Sequence, residues 1–471
     1  MSGSPVSSGP GLSARRLLVP LALAQFICSF AGSNMNVMIN DISTDLDTTV
    51  QGVQTAITLF LLVMAVLMIP GGKLTDRWGR KRCFVAGLAL YGVGALISAA
   101  SPDLAVLIVG NSLLEGVGTA LLIPPVYILA TLAFTEKASR ARAFGLISGA
   151  GGVGAAAGPL IGGLIATAIS WRAAFVFQAL VVAAIVVLAR RVEDPLPADP
   201  TRRFDLVGAV LSAAGMLLLV LGILQAGTNG LLVAILVALG AIFLLLFFRH
   251  VRADEQAGRE PLLSLSLFRD RTANLGLVTQ NVQWLLLLGI SFVVAVFLQT
   301  VRGLNPIETG AVFTAATVGV LVSSVAAGRL VQRYPQRTLV RVGFVTTVAG
   351  IALLLALVGL SDRSVMLVPG LLVAGLGLGV MLTPSVNIVQ SAFPERQQGE
   401  ISGLSRSISN LGSSLGTAIA GTILVSDLAS GNRTYVVAMI VLAGFALVGL
   451  AAATRLPPDE PAGQAAPETA R

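Results

Sequence analysis

Long apolar runs alternate with short polar breaks along almost the whole chain. A helix rises 1.5 Å per residue, so roughly 20 apolar residues cross the hydrocarbon of a bilayer. Runs near that length occupy 17–40, 52–71, 83–101, 104–130, 143–168, 173–189, 206–226, 230–248, 273–300, 309–328, 342–360, 364–392, 401–426 and 434–454. They predict an all-α membrane protein with about fourteen spans. Several breaks are very short, as at Ala226-Gly227-Thr228-Asn229-Gly230, and short links make consecutive helices antiparallel neighbours.

The polar breaks carry charge in alternation. With the N-terminus inside, the outer loops hold only Arg172, Arg302, Arg363 and Arg433 of the 31 Lys and Arg. The first outer loop holds Asp41, Asp45 and Asp47 instead. One missed helix would invert every later loop. Positive residues stay on the cytoplasmic side, so the alternation predicts an even span count with both termini cytoplasmic.

Composition agrees: 55% of residues are hydrophobic and 11% charged, with a mean hydropathy of +0.87. Gly makes up 51 of 471 residues, which suits close helix packing in lipid. The net charge of +8 would suggest nucleic acid in a soluble protein. Here the excess is topological, and membrane lipid, not nucleic acid, is the expected partner. Cys28 and Cys83 fall in separate apolar runs, and the lone His250 falls in a charged loop. No metal-ligand cluster, nucleophile–His pair or phosphate loop stands out, so neither an enzyme nor a bound metal or cofactor is expected.

One short pattern repeats. Gly72-x-Leu74-x-Asp76-Arg77-Trp78 recurs as Gly328-x-Leu330-x-Gln332-Arg333-Tyr334, each copy after the second span of a six-span half. A generic basic turn is the competing reading; duplication also fits the loop lengths. Duplication divides the chain into a first six-helix bundle (17–190), connectors with two inserted helices (191–271) and a second six-helix bundle (272–456). The tails 1–16 and 457–471 are polar or Pro/Ala-rich and are expected to be disordered.

The loop Gly71 to Arg82 packs five basic residues and one acid between two spans. Its pattern Gly72-x-Leu74-x-Asp76-Arg77-x-Gly79-Arg80-Lys81-Arg82 resembles the signature loop of the major facilitator superfamily of secondary transporters. The resemblance implies that Asp76 braces the two halves on the cytoplasmic side by meeting the span that begins near Gly399. Arg77 and Arg80 would add charge contacts, whereas Lys81 and Arg82 read as topology signals. The fifth span carries Gly145, Gly154, Gly158-Pro159 and Gly162-Gly163. That spacing is similar to the motif of proton-coupled exporters in the superfamily; a plain small-residue packing seam is the alternative. Trp171-Arg172-x-x-Phe175, Phe204-Asp205-x-x-Gly208 and Gly399-x-x-Ser402-Gly403-Leu404 also resemble the fourteen-span drug:proton antiporter family.

Glu115 is the one carboxylate deep in a span. A charge there costs several kcal/mol by insertion scales, so it should face a cavity or be protonated. It is the proton-carrier candidate, with a neutral Glu bonded between helices as the structural alternative. The resemblance breaks nearby: Asn111 stands where the family has Arg, and Glu115 where it has Gln. Ala31 and Asn40 replace a usual Asp and Pro, and Ile57 a usual aromatic. Polar positions at helical spacing mark candidate cavity walls: Gln25, Ser33 and Asn36 in the first span, Gln280 and Trp284 in the ninth, Arg406 and Ser409 in the thirteenth. Arg406 lies either deep in the span or at its cytoplasmic edge.

The resemblance implies a monomeric plasma-membrane antiporter. It would export a small amphipathic organic compound against protons by alternating access. The alternative is an uncoupled uniporter or metabolite exporter on the same fold.

Overall fold

The computed structural model describes residues 11–134, 137–190, 204–225, 230–331, 333–360, 363–393, 398–425 and 432–457. Among them the chain is helical, with no strand. Fourteen long helices follow in order: α1 Gly11–Asn34, α2 Val50–Trp78, α3 Arg80–Ala99, α4 Leu104–Ala133, α5 Lys137–Ala168, α6 Trp171–Ala189, α7 Leu206–Leu224, α8 Gly230–Gln256, α9 Arg271–Val301, α10 Pro306–Leu330, α11 Gln336–Val358, α12 Ser364–Ser391, α13 Gln398–Val425 and α14 Asn432–Thr454. Thirteen are long and apolar enough to cross a membrane. The remaining one, α13, is 28 residues long, and its Ser, Asn and Thr stripe dilutes its apolar content.

Side-chain caps set where the chain turns. Thr49, Asp103, Ser170, Asp205 and Asp270 each accept a hydrogen bond from the backbone N–H three residues on. Asn305 and Glu308 form a reciprocal capping box at α10, with Pro306 in the first turn. Each such cap is worth about 1 kcal/mol. Gly79 alone separates α2 from α3, and its φ of 96° is a conformation that only glycine adopts without strain.

Both six-helix bundles use one pairing scheme. In the first, α1 packs on α5, α2 and α3 on α4, and α3 on α6. In the second, α9 packs on α13, α10 and α11 on α12, and α11 on α14. Two crossed pairs join them: α2 with α13, and α5 with α10. The same rotation that relates the bundles exchanges these two pairs.

The inserted helices lie outside this frame. α7 packs against α2 and α13, with Thr422 Oγ1 donating to Ile223 O at 3.2 Å. Leu62, Ala418, Val220 and Leu224 close that contact. α8 packs mainly on α7 and turns its apolar face outward. It also runs on to Gln256, so His250 sits on a helix and not in a loop as its charged surroundings suggested.

Candidate functional site

Between the bundles lies a small chamber of about 20 Å³. α1 lends it Gln25, Cys28 and Ser29; α2 lends Leu61, Met64 and Met68. Across from them stand Trp284 and Leu288 of α9, and Arg406, Asn410 and Ser413 of α13. The α2 side is therefore apolar and rich in methionine, which adapts its shape readily. The α13 side carries the only charge in the lining among the described residues.

That charge is held by a chain of neutral partners. The Arg406 guanidinium donates to the Tyr127 hydroxyl and lies 4.8 Å from the centre of its ring. Tyr127 in turn donates to Gln25 Oε1 at 3.2 Å, and Gln25 Nε2 to Ser29 Oγ at 3.1 Å. The chain links α13 to α4 and α1 across the interface. Arg406 is only 8% exposed and stands eight residues into α13.

Polar contacts join the bundles on both sides of the chamber. At the end with the basic loop, Lys73 Nζ lies 2.6 Å from Glu400 Oε1. Further along the α2–α13 seam, Ser407 Oγ donates to Ala65 O at 2.5 Å and Ser414 Oγ to Thr58 O at 3.2 Å. Gln54 Nε2 reaches Ala418 O at 3.4 Å. At the opposite end, Gln299 Nε2 donates to Asn36 O at 2.9 Å, and Thr167 Oγ1 accepts from Ile307 N at 3.0 Å. The Asp76 side chain lies outside the described residues; the partner found for the start of α13 is Lys73. Most of the expected basic loop is helical: Gly72 and the exposed Arg77 lie within α2, Gly79 is the only break, and Arg80 begins α3.

The α5 glycines are packing positions. A Cβ at Gly154 would run into the Phe26 carbonyl, at Gly158 into Ser33, and at Gly162 into Asn34. Spaced four apart, they form the groove that lets α1 lie directly on α5. Gly163 and Pro159 turn towards α10, against Pro306 and Gly310. Gly145 has nothing within 4 Å of its would-be Cβ.

Glu115 is fully buried, but outside the chamber lining. It ends a stretch, Ile108–Glu115, where α4 widens into a π-type turn, a distortion common at functional positions. Gly94 of α3 makes room for its side chain. Glu115 Oε1 accepts from Ser98 Oγ at 3.4 Å, and Oε2 has no partner. One turn before it, both amide atoms of the buried Asn111 are also unpartnered. The pocket is inside the first bundle, and Arg406 does not meet it.

Of the residues proposed for the cavity, Gln25, Trp284 and Arg406 line the chamber. Ser33 bonds its own helix and faces Gly158. Asn36 lies at the far closure, Gln280 accepts from Ser405 Oγ at 2.8 Å, and Ser409 bonds back to Ser405 O. Met64, Met68, Tyr127 and Asn410 escaped the sequence reading. Asn410 was visible one helical turn after Arg406; the methionines look like any lipid-facing apolar residue. A separate group stands at the base of the inserted pair, where His250 Nε2 lies 2.9 Å from Asp205 Oδ1 and 3.4 Å from Asp254 Oδ2. Arg259 pairs with Asp254 at 2.5 Å.

The family model described as Major Facilitator Superfamily matches residues 21–256, 204–417 and 282–471. The chain is similar to the puromycin resistance protein pur8 of Streptomyces alboniger, at 29% identity over 86% of this chain and 81% of that one. It is similar to a probable actinorhodin transporter of Streptomyces coelicolor, at 29% identity over 90% and 75% of the two chains. A multidrug efflux pump, LfrA of Mycolicibacterium smegmatis, matches at 29% identity over 79% and 73%.

Proposed function

The chain belongs to the Major Facilitator Superfamily, and from that premise we propose a proton-coupled antiporter that exports amphipathic organic compounds by alternating access. It works as a monomer in the plasma membrane, with both termini and the basic loop cytoplasmic. The working units are residues 17–190 and 272–456, flanking the inserted pair. The observation that carries the reading is a chamber walled by both bundles, with separable polar contacts joining the bundles on either side of it. Rocking of two rigid bundles opens one closure while the other holds. The printed names of the relatives, which concern antibiotic resistance, transport and efflux, support an organic cargo.

Glu115 carries the proton in this scheme. Its burial, its unpartnered oxygen and the π-type turn beneath it support the role. Asn111 lends a movable amide beside it. One observation favours the uncoupled alternative: Glu115 lies outside the chamber lining, so substrate and proton cannot compete for one spot. Coupling then has to run through α4, which carries both Glu115 and Tyr127.

The test uses proteoliposomes holding a pH-sensitive dye. Wild-type protein is expected to move protons when an exported compound is added, and Glu115→Gln to move the compound downhill without protons. Wild-type transport with no proton movement would leave only the uncoupled carrier.

A further inference from the structure

We infer that the chamber selects compounds bearing an anionic group, a carboxylate or an equally acidic oxygen, which docks on Arg406 and Asn410. This deepens the transport reading above and rests on it for the role of the chamber. Arg406 is nine-tenths buried, and among the described residues no carboxylate lies within ion-pair distance of it. Its bonded partner, Tyr127, is neutral. A cation buried in the hydrocarbon without a counter-charge is costly, and such residues mark sites for a ligand that supplies the charge.

A second donor stands beside it. Asn410 lies one turn further along α13, lines the same chamber, and its buried Nδ2 has no partner. A planar guanidinium and an amide N–H four residues apart offer converging donors to one acidic group. Tyr127, fixed by Gln25, holds the guanidinium in place. Among the described residues no acid lines the chamber to receive a cationic drug. The rest of the cargo meets Met64, Met68, Trp284 and Leu288. A second, apolar cavity of about 20 Å³ is lined by Ala156, Leu287 and Val320, and the chamber residue Trp284 packs against Ala156 and Val320. The expected cargo is thus an amphipathic organic anion.

The experiment measures equilibrium binding to the purified full-length protein in detergent, with no gradient. Its outcome is therefore separate from that of proton coupling or export. The probes are two matched triads, on naphthalene and on anthraquinone, each as carboxylate, primary amide and aminomethyl cation. The carboxylates are expected to bind at least tenfold tighter than their amide and cationic partners. Arg406→Gln should remove that preference, Arg406→Lys should keep part of it, and Asn410→Leu should weaken carboxylate binding severalfold without changing amide binding. Unchanged melting temperatures establish that the variants fold; Asn410→Leu carries the test if Arg406→Gln does not. Cations binding as well as carboxylates, a preference that survives in the variants, or no carboxylate binding on either scaffold would each overturn the inference.

Discussion

Lys73, near the end of α2, and Glu400, in the first turn of α13, form an ion pair of 2.6 Å that ties the two bundles at one mouth of the chamber. Both side chains are about a quarter exposed, and a pair of that kind contributes about 1 kcal/mol or less. Glu400→Gln is therefore expected to shift the ratio of open to closed states at that mouth by about fivefold at most. Thiol labelling of a cysteine introduced at Ser29 reads the shift. The double exchange Lys73→Glu with Glu400→Lys should restore the wild-type rate; failure to restore it would mean that the pair is not the latch.

The α5 glycines give a sharp internal contrast. Gly158→Leu forces a side chain into the α1 backbone contact, and overpacking of this kind costs about 1–3 kcal/mol or more. Gly145→Ala meets open space and gains helix propensity, about 0.8–1 kcal/mol. Melting in detergent should therefore fall for the first and hold or rise for the second. Equal losses would discount the groove.

Acid acts on two carboxylates in opposite senses. The hydrogen bond from Arg172 holds the Asp45 carboxyl below its ordinary value, with Trp171 assisting. A depressed value in the folded state means that this contribution is complete above the unfolded value and fades as pH falls through the folded one. The stability gap between wild type and Arg172→Gln should thus be widest near neutrality and shrink below roughly pH 4. Burial pushes Asp41 up, so its charged form costs stability at neutral pH and the cost is relieved on acidification. Asp41→Asn should therefore stabilise at pH 7 more than at pH 3. Acid-melting curves of both variants decide the signs.

Asp205 anchors the inserted pair by three bonds: it caps Gly208 N, accepts from Leu262 N at 3.2 Å and meets His250. Asp205→Ala is expected to cost about 1–3 kcal/mol. The cost should appear as faster proteolysis next to α7 before global melting. Asp205→Asn keeps the cap and should lose less; equal losses would place the weight on charge and not on capping.

The helices were legible because a membrane span needs only length and apolarity, and the charge alternation fixed their order. The α5 glycines were legible too, since a spacing of four is a property of one helix. Facing is different. Arg406 and Trp284 stood out as polar or amphipathic groups in apolar runs, yet Gln280 has the same character and packs against Ser405 instead. Whether Glu115 faces a cavity or a neighbouring helix could not be read from its own span; Gly94 of α3 is what it packs against. The Asp76 brace came from resemblance and lies outside the described side chains; among those described, Lys73 pairs with Glu400 at the start of α13.

The α2–α13 seam is sewn from side chains onto main-chain carbonyls: Ser407 to Ala65, Ser414 to Thr58, Gln54 to Ala418. A helix offers a fresh carbonyl every turn, so each stitch that lets go in a dry setting finds another acceptor of equal quality within reach. Such a joint is neither welded shut nor, once parted, left without acceptors for its donors.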